Sequence, residues 1–450
     1  MKNRWLIAAS AVGIHISIGS VYAWSVVAKP LMKEFSLNLT EVSIAFSIAI
    51  FFLGTSAAFF GHFVETKGPR ISGTMASIFF GLGIICSGFV VKFAPAYNGV
   101  VFTLGHIGSY AINLKFIYLL YLTYGVLGGT GLGTGYITPV STLIKWFPDK
   151  RGMATGMAIM GFGFAAFFGG PIMQMLIAKV GIANMFFILG SIYFVLMFLS
   201  AQYLAPPPLG WMPAKFQAKI ASGQKVLKKD LAMLDAHQAV KTVRFYYLWL
   251  MLFINITCGI AILSVASPLA QEVTGMTPIA AAAMVGFMGL FNGIGRIGWS
   301  SLSDHLGRPA VWTTFFVIEI AAYFFLPSIV YPVMFQVILF LIMTCYGGAF
   351  ASVPAYISDI FGTKQVSAIH GYILTAWAAA GVVGPLLVSW IRDTTGSYTK
   401  TLYIFGCLFI VALTTSLLMI ADIIKLRKQL DVDPHHAPHA IEIASPMPVE

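Results

Sequence analysis

Charged side chains are what this sequence has least of. Asp, Glu, Lys and Arg make up 10% of the 450 residues while 58% are hydrophobic, and so little polar surface cannot clothe water-soluble domains. Acidic residues are the scarcest, 16 against 27 basic ones, for a net charge of +11. In a soluble chain that excess would raise nucleic acid as a partner. Here the basic residues stand mostly between long apolar runs, and no nucleic acid is expected. The four cysteines, Cys86, Cys258, Cys345 and Cys407, all lie inside apolar runs without a CxxC pairing, so neither a disulfide framework nor a zinc site is indicated. No nucleophile and base arrangement and no metal-ligand spacing occurs in those runs, so the chain does not read as an enzyme, and no cofactor or metal is expected. The run Gly128-Gly129-Thr130-Gly131-Leu132-Gly133-Thr134-Gly135 resembles a phosphate-cradling loop, yet no strand precedes it and no Gly-Lys-Ser/Thr follows. Small residues at such spacing suit close helix packing instead, as do Gly289 and Gly293.

What is abundant is apolar length. A membrane-spanning helix needs roughly 20 apolar residues, and twelve stretches qualify, near 5–31, 42–62, 71–91, 116–144, 152–178, 183–204, 245–271, 279–301, 310–328, 332–358, 366–391 and 401–424. The predicted fold is all-α and integral to the membrane. Lys2 and Arg4 before an apolar run have the form of a signal peptide, but no hydrophilic domain follows, and the segment reads as helix 1. With the N-terminus inside, the ends and loops of that side carry 19 Lys and Arg, the other side carries 7, and Arg296 lies within a span. The positive-inside rule then puts both termini in the cytoplasm of a cell (inner) membrane protein.

The connection 205–244 divides the chain into an N-terminal six-helix half (1–204) and a C-terminal one (245–424), followed by a cytoplasmic tail (425–450). It opens with Pro206-Pro207-Pro208 and carries Lys215, Lys219, Lys225, Lys228, Lys229, Lys241 and Arg244 against Asp230 and Asp235. Phe216, Ile220, Leu227, Leu231 and Leu234 recur at near-helical spacing, so this stretch is either a surface helix on the anionic leaflet or a solvated linker. The tail motif His435-His436-Ala437-Pro438-His439 reads as disordered, with adventitious metal binding as its alternative.

An internal repeat supports the division. GHFVETKGPR (61–70) corresponds to SSLSDHLGR (300–308), with Glu65 to Asp304 and Gly68 to Gly307 both offset by 239. Phe147 to Phe361 and Gly170-Pro171 to Gly384-Pro385 are offset by 214, and the difference matches an extra segment around 92–115. Two pseudo-symmetric halves facing a central cavity suit alternating access. The two Gly-Pro pairs are expected to bend helices 5 and 11.

Arg296 is the most informative residue. A guanidinium within an apolar helix costs about 2.5–3.5 kcal/mol on insertion scales, and such groups face a cavity or a partner unless they snorkel to the interface. Asn292 stands one turn earlier on the same face, so an amide and a fixed cation project together, a pair suited to a carboxylate. Glu319 in helix 9 and His15 in helix 1 are the other intramembrane ionisable groups. Each is either a proton carrier or a satisfied polar contact. Tyr22, Trp24, Tyr136, Tyr346 and Trp377 either line a path or pack.

Four segments carry a family resemblance: Gly19-Ser20-Val21-Tyr22-Ala23-Trp24-Ser25-Val26, Lys145-Trp146-Phe147-Pro148-Asp149-Lys150-Arg151-Gly152, Pro268-Leu269-Ala270-Gln271-Glu272 and Asn292-Gly293-Ile294-Gly295-Arg296. Over residues 1 to about 425 the chain resembles the major facilitator superfamily and, within it, the oxalate/formate antiporter family, a relative of the monocarboxylate transporters. The resemblance implies that Arg296 pairs with a substrate carboxylate and that Tyr22, Tyr136, Tyr346 and Trp377 belong to an aromatic cage around it. It also implies a cytoplasmic latch at Glu65, Asp304 and Arg308, weaker in the first half, where Pro69 stands in the place of Arg308. Two departures matter. Helix 11 (366–391) has no Lys, which leaves the second charge of oxalate without a partner, and Asn292 replaces the aspartate of animal-type monocarboxylate carriers.

The expected function is secondary transport of a small monocarboxylate such as lactate, pyruvate or formate. Its mode is anion exchange or proton symport, with His15, Glu272 and Glu319 as candidates for proton coupling, and the expected carrier is a monomer in the lipid bilayer. Two other readings stay open: an exporter of drugs or amphipathic solutes from the same superfamily, and a transporter-like anion sensor.

Overall fold

The computed structural model describes residues 2–94, 100–107, 110–208, 210–222 and 230–432. Leu227 and the lysines 225, 228 and 229 of the linker, and the histidine motif of the tail, lie outside the described residues. Among the described residues, twelve long helices form two halves. The first half contains α1 (Arg4–Phe35), α2 (39–67), α3 (69–92), α4 (Phe116–Trp146), α5 (151–180) and α6 (182–203). The second contains α7 (Val243–Thr274), α8 (Pro278–Leu306), α9 (Arg308–Phe325), α10 (Pro332–Phe361), α11 (Val366–Thr395) and α12 (Thr399–Val432). They correspond one for one to the predicted spans. Phe59, Val333 and Leu386 are among many large apolar side chains left exposed on the outside, an arrangement suited to acyl chains rather than water.

Local chemistry sets the helix ends. Asn38 and Glu41 form a capping box at the start of α2, and Thr277 caps α8 ahead of Pro278. The turns after α2 and α8 need left-handed backbone at Gly68 (φ 79°) and its repeat mate Gly307 (φ 91°), where a Cβ would be strained.

Three helices are irregular, none of them at the Gly-Pro pairs. A 3-10 turn at Gly19–Ala23 interrupts α1, a π segment at Tyr121–Gly128 opens α4, and α11 breaks at Leu374. Pro171 and Pro385 both stand inside continuous helix. The insertion between α3 and α4 holds an antiparallel hairpin, β1 (Val100–Ile107) and β2 (Tyr110–Lys115), which pairs from Val100 opposite Lys115 to Ile107 opposite Tyr110 with register shifts between Val100 and Phe102 and between Thr103 and Gly105.

Glycines bring the halves together. A Cβ on Gly54 or Gly61 of α2 would meet α11 at Ala378 or Ala368, each at 2.7 Å, and one on Gly163 of α5 would meet the Cα of Gly293 of α8 at 2.8 Å. Gly129 and Gly131 of the glycine run press in the same way on α2 and α3, whereas Gly289 has open space beside it. Among the described residues the linker holds two short helices, Ala214–Ala221 and Ala236–Ala239. Leu231 is buried, and the N–H groups of Leu231 and Leu234 donate to the carbonyls of Asp359 (3.0 Å) and Phe361 (2.9 Å). That part of the linker docks on the α10–α11 turn and not on a leaflet.

Candidate anion site between the halves

Arg296 is fully buried on α8 and aims inward, between Phe162 of α5 and Phe350 of α10, whose ring centroids lie 5.5 and 5.2 Å from its guanidinium carbon. One ring comes from each half, and a desolvated cation over aromatic faces gains about 2 kcal/mol. Its Nε donates to Asn292 Oδ1 at 2.8 Å and Nη1 to the Ile159 carbonyl across the interface at 3.4 Å. Nη2 is buried without a hydrogen-bond partner, and no carboxylate pairs with the guanidinium among the described residues. Gly163 makes this possible, because a Cβ there would come within 3.1 Å of Nε. Asn292 therefore spends its amide oxygen on orienting the arginine.

The predicted aromatics gather around that cation. Tyr22 lies in the 3-10 turn of α1, which packs close to α5 because residue 19 is glycine: a Cβ there would come within 2.5 Å of the Phe162 backbone. Its ring packs on Phe162 at 4.8 Å and on Trp377 at 6.4 Å. Tyr136 of α4 lies 5.8 Å from Phe162 and 5.3 Å from Trp377. Phe350 closes the ring of side chains at 4.5 Å from Trp377 and 5.3 Å from Tyr346. The hydroxyls of Tyr22, Tyr136 and Tyr346 and the indole N–H of Trp377 are all buried without partners. All three phenols lie within electrostatic range of Arg296. Buried polar atoms of this kind are rare unless something satisfies them.

Sequence reasoning misses Phe162, Phe350 and His370. The chain has 37 phenylalanines, and nothing marks two of them as stacking on a cation. His370 does have a signal, an ionisable ring inside an apolar span, the same one that picks out His15. The rings of His15 (α1) and His370 (α11) flank Tyr136 at 5.3 and 5.9 Å.

The other candidates lie elsewhere. Trp24 packs inside the first half, with its indole donating to the Val42 carbonyl at 3.1 Å and its ring 4.2 Å from Tyr124. Glu319 is buried inside the second half, close enough to Cys258, Tyr323 and Cys345 to act on them electrostatically. Glu272, at the end of α7, pairs with Arg392 at 3.0 Å and accepts from the Tyr398 N–H at 3.1 Å.

The latch residues meet at the end of the molecule that carries Arg4. Asp304 accepts from the N–H groups of Gly152 and Met153, both at 2.9 Å, in the first turn of α5. Glu65 accepts from the Ser367 N–H at 2.8 Å in the first turn of α11. Each acid thus caps a helix of the opposite half, where its charge complements the helix dipole. Arg308 bonds Asp304 at 2.5 Å and Asp359 at 3.1 Å. Pro69 offers no such cation, but Lys145 bonds Glu65 at 2.8 Å, so the first-half acid is not left unpaired. Arg151 joins the halves by pairing with Asp230 at 2.6 Å and Asp359 at 3.2 Å. Among the described residues, the hydrogen bonds and ion pairs between the halves lie between this end and the level of Arg296.

Comparison with known proteins agrees with this architecture. The family model described as Major Facilitator Superfamily matches residues 10–385. The chain belongs to the Major Facilitator Superfamily. The oxalate:formate antiporter of Oxalobacter formigenes is 26% identical over 391 residues, covering 85% of this chain and 84% of that protein. Monocarboxylate transporter 12 of Rattus norvegicus is 25% identical over 358 residues, 72% of this chain and 70% of that one. The crystal structure of the human organic anion transporter MFSD10 aligns with a TM-score of 0.66 at 11% identity, over 92% of this chain and all of that one, a likeness of fold. This major facilitator is a multi-pass membrane transporter and not an enzyme.

Proposed function

We propose that this major facilitator carries a small monocarboxylate, of the size of lactate, pyruvate or formate, by alternating access, with Arg296 as the anion's landing point. One observation carries the reading: a fully buried guanidinium with no carboxylate partner among the described residues, enclosed by aromatic side chains from both halves and faced by three unsatisfied phenols. Such a cation is poised for a bidentate carboxylate. Tyr22, Tyr136 and Tyr346 supply hydroxyl donors, Trp377 with Phe162 and Phe350 encloses the carbon body, and Asn292 orients the guanidinium. Formate is one of the two cargoes named for the Oxalobacter relative. Oxalate, the other, fits less well, because α11 offers no lysine to its second carboxylate.

The positive-inside count places both termini, the 205–244 linker between the two halves and the latch of Glu65, Asp304 and Arg308 on the cytoplasmic side of the cell membrane. The carrier is then closed toward the cytoplasm. Exchange of one anion for another is the favoured mode, because the bound anion neutralises Arg296 during the crossing. Proton symport needs a titratable group acting on the site, and His15 stands nearest to it, ahead of Glu319 and Glu272.

Counterflow in proteoliposomes, screening mono- and dicarboxylates with wild type and Arg296→Gln, tests the reading. Wild type should exchange small monocarboxylates, and the variant should lose at least 100-fold in rate. Undiminished transport of carboxylates, or of an amphipathic drug, by Arg296→Gln would overturn it in favour of an exporter. Ligand stabilisation without flux would point to a sensor.

A further inference from the structure

We infer that His15, with Tyr136 and His370, forms a second polar subsite beside Arg296 that takes a hydroxyl hydrogen from the cargo, so that the preferred anion is a small hydroxy-monocarboxylate. This rests on the reading of Arg296 as the carboxylate site and adds what the rest of the anion must look like.

The geometry is specific about which end of the histidine is available. His15 Nδ1 lies 3.0 Å from the carbonyl of Ala11 on its own helix. A carbonyl only accepts, so Nδ1 carries the hydrogen, and in a neutral imidazole the lone pair then sits on Nε2. Nε2 is the far end of the ring from that helix contact, and it is buried without a partner. The side chain is completely buried. An acceptor with no donor in reach is costly inside a protein, and a cargo hydroxyl is the donor that would satisfy it.

Position links this acceptor to the cation. The His15 and Tyr136 ring centroids lie 5.3 Å apart, edge to face, and the ring of His370 lies 5.9 Å from that of Tyr136 with its own Nε2 unpartnered. Tyr136 in turn packs on Phe162, which lies under the Arg296 guanidinium. His15 is itself within electrostatic range of Arg296. The subsite spans both halves, since His15 and Tyr136 come from α1 and α4 while His370 comes from α11. A cargo bridging Arg296 and His15 therefore holds the halves together as well as filling the site. A 2-oxo acid brings only acceptors to His15 and forgoes that bond. A plain aliphatic acid brings nothing.

Two three-carbon acids that differ by one hydroxyl, lactate and propionate, make the test, with counterflow affinities measured on the full chain in proteoliposomes. Wild type should prefer lactate by about 10-fold or more, as expected where a buried acceptor reads a hydroxyl. His15→Phe keeps the ring against Tyr136 but removes the acceptor, and it should bring the lactate to propionate ratio close to one. His15→Gln, which retains an acceptor, should restore part of the preference. Equal handling of the two acids by wild type overturns the subsite without any variant, as does a ratio unchanged in His15→Phe. In either case sensitivity of both acids to Arg296→Gln leaves the anion site standing. Failure of wild type to carry any carboxylate overturns both together.

Discussion

A single side-chain contact separates this site from a charge-paired one. Asn292 gives its carbonyl oxygen to Arg296 at 2.8 Å, so the guanidinium is held in place with its charge uncompensated, as the proposed anion site requires. Asn292→Asp would keep that contact and neutralise the cation internally. An acid beside an arginine has its pKa lowered, by about 1–3 units for direct neighbours. The introduced carboxylate should therefore compete with substrate at neutral pH and release the site only as it is protonated. Counterflow by Asn292→Asp should fall about 10-fold or more at pH 7.5 and stay low down to about pH 5, because a carboxyl whose pKa is lowered remains ionised over that whole range. A pH profile of substrate affinity checks this. At this scale the sequence is informative where a residue is chemically improbable: Arg296 stands out in an apolar helix, and so does His15. Phe162 and Phe350 do not, because a ring stacked on a cation and a ring facing lipid are the same residue until the helices are assembled.

At the scale of elements, closure is carried by helix ends. Arg151 at the start of α5 is held by Asp359 of α10 and by Asp230 of the linker, which is itself tied to the α10–α11 turn through Leu231 and Leu234. The linker thus straps both halves at the closed end. Hydrogen bonds to charged groups contribute about 1.5–3 kcal/mol each, enough to shift a two-state equilibrium by about 10–100-fold. Arg151→Gln should open this end, seen as a longer spin-label distance between the α4–α5 and α10–α11 loops. Asp230→Asn should move the same distance distribution less, because Asp359 still holds the arginine. The helices themselves were legible in the sequence, since apolar runs of this length permit little else in a bilayer. Their irregularities were not. The 3-10 turn at Gly19–Ala23 and the turn at Leu374 carry no mark in the sequence.

For the whole molecule, the proposed exchange mode rests on the fixed charge at the centre. An unloaded carrier has to pass Arg296 through the occluded form without a counter-ion, at a cost of about 2.5–3.5 kcal/mol on insertion scales, which slows that return about 100-fold. Efflux of labelled monocarboxylate from loaded proteoliposomes should therefore fall to near background when the outside contains no exchangeable anion, and rise on its addition. Efflux undiminished without external substrate would rule out obligate exchange. The amino-acid sequence alone determined the membrane setting, twelve spans, the repeat that makes two halves and the residue at their centre, because each follows from transfer free energies and spacing along the chain. Only the tertiary structure decided which rings enclose Arg296, which nitrogen of His15 is left to accept, and that Asp304 and Glu65 cap helices of the opposite half. The contacts among them that cross between the halves join residues from about 130 to 300 positions apart in the chain, and no local pattern encodes those. They depend on how closely glycine surfaces let the two halves approach.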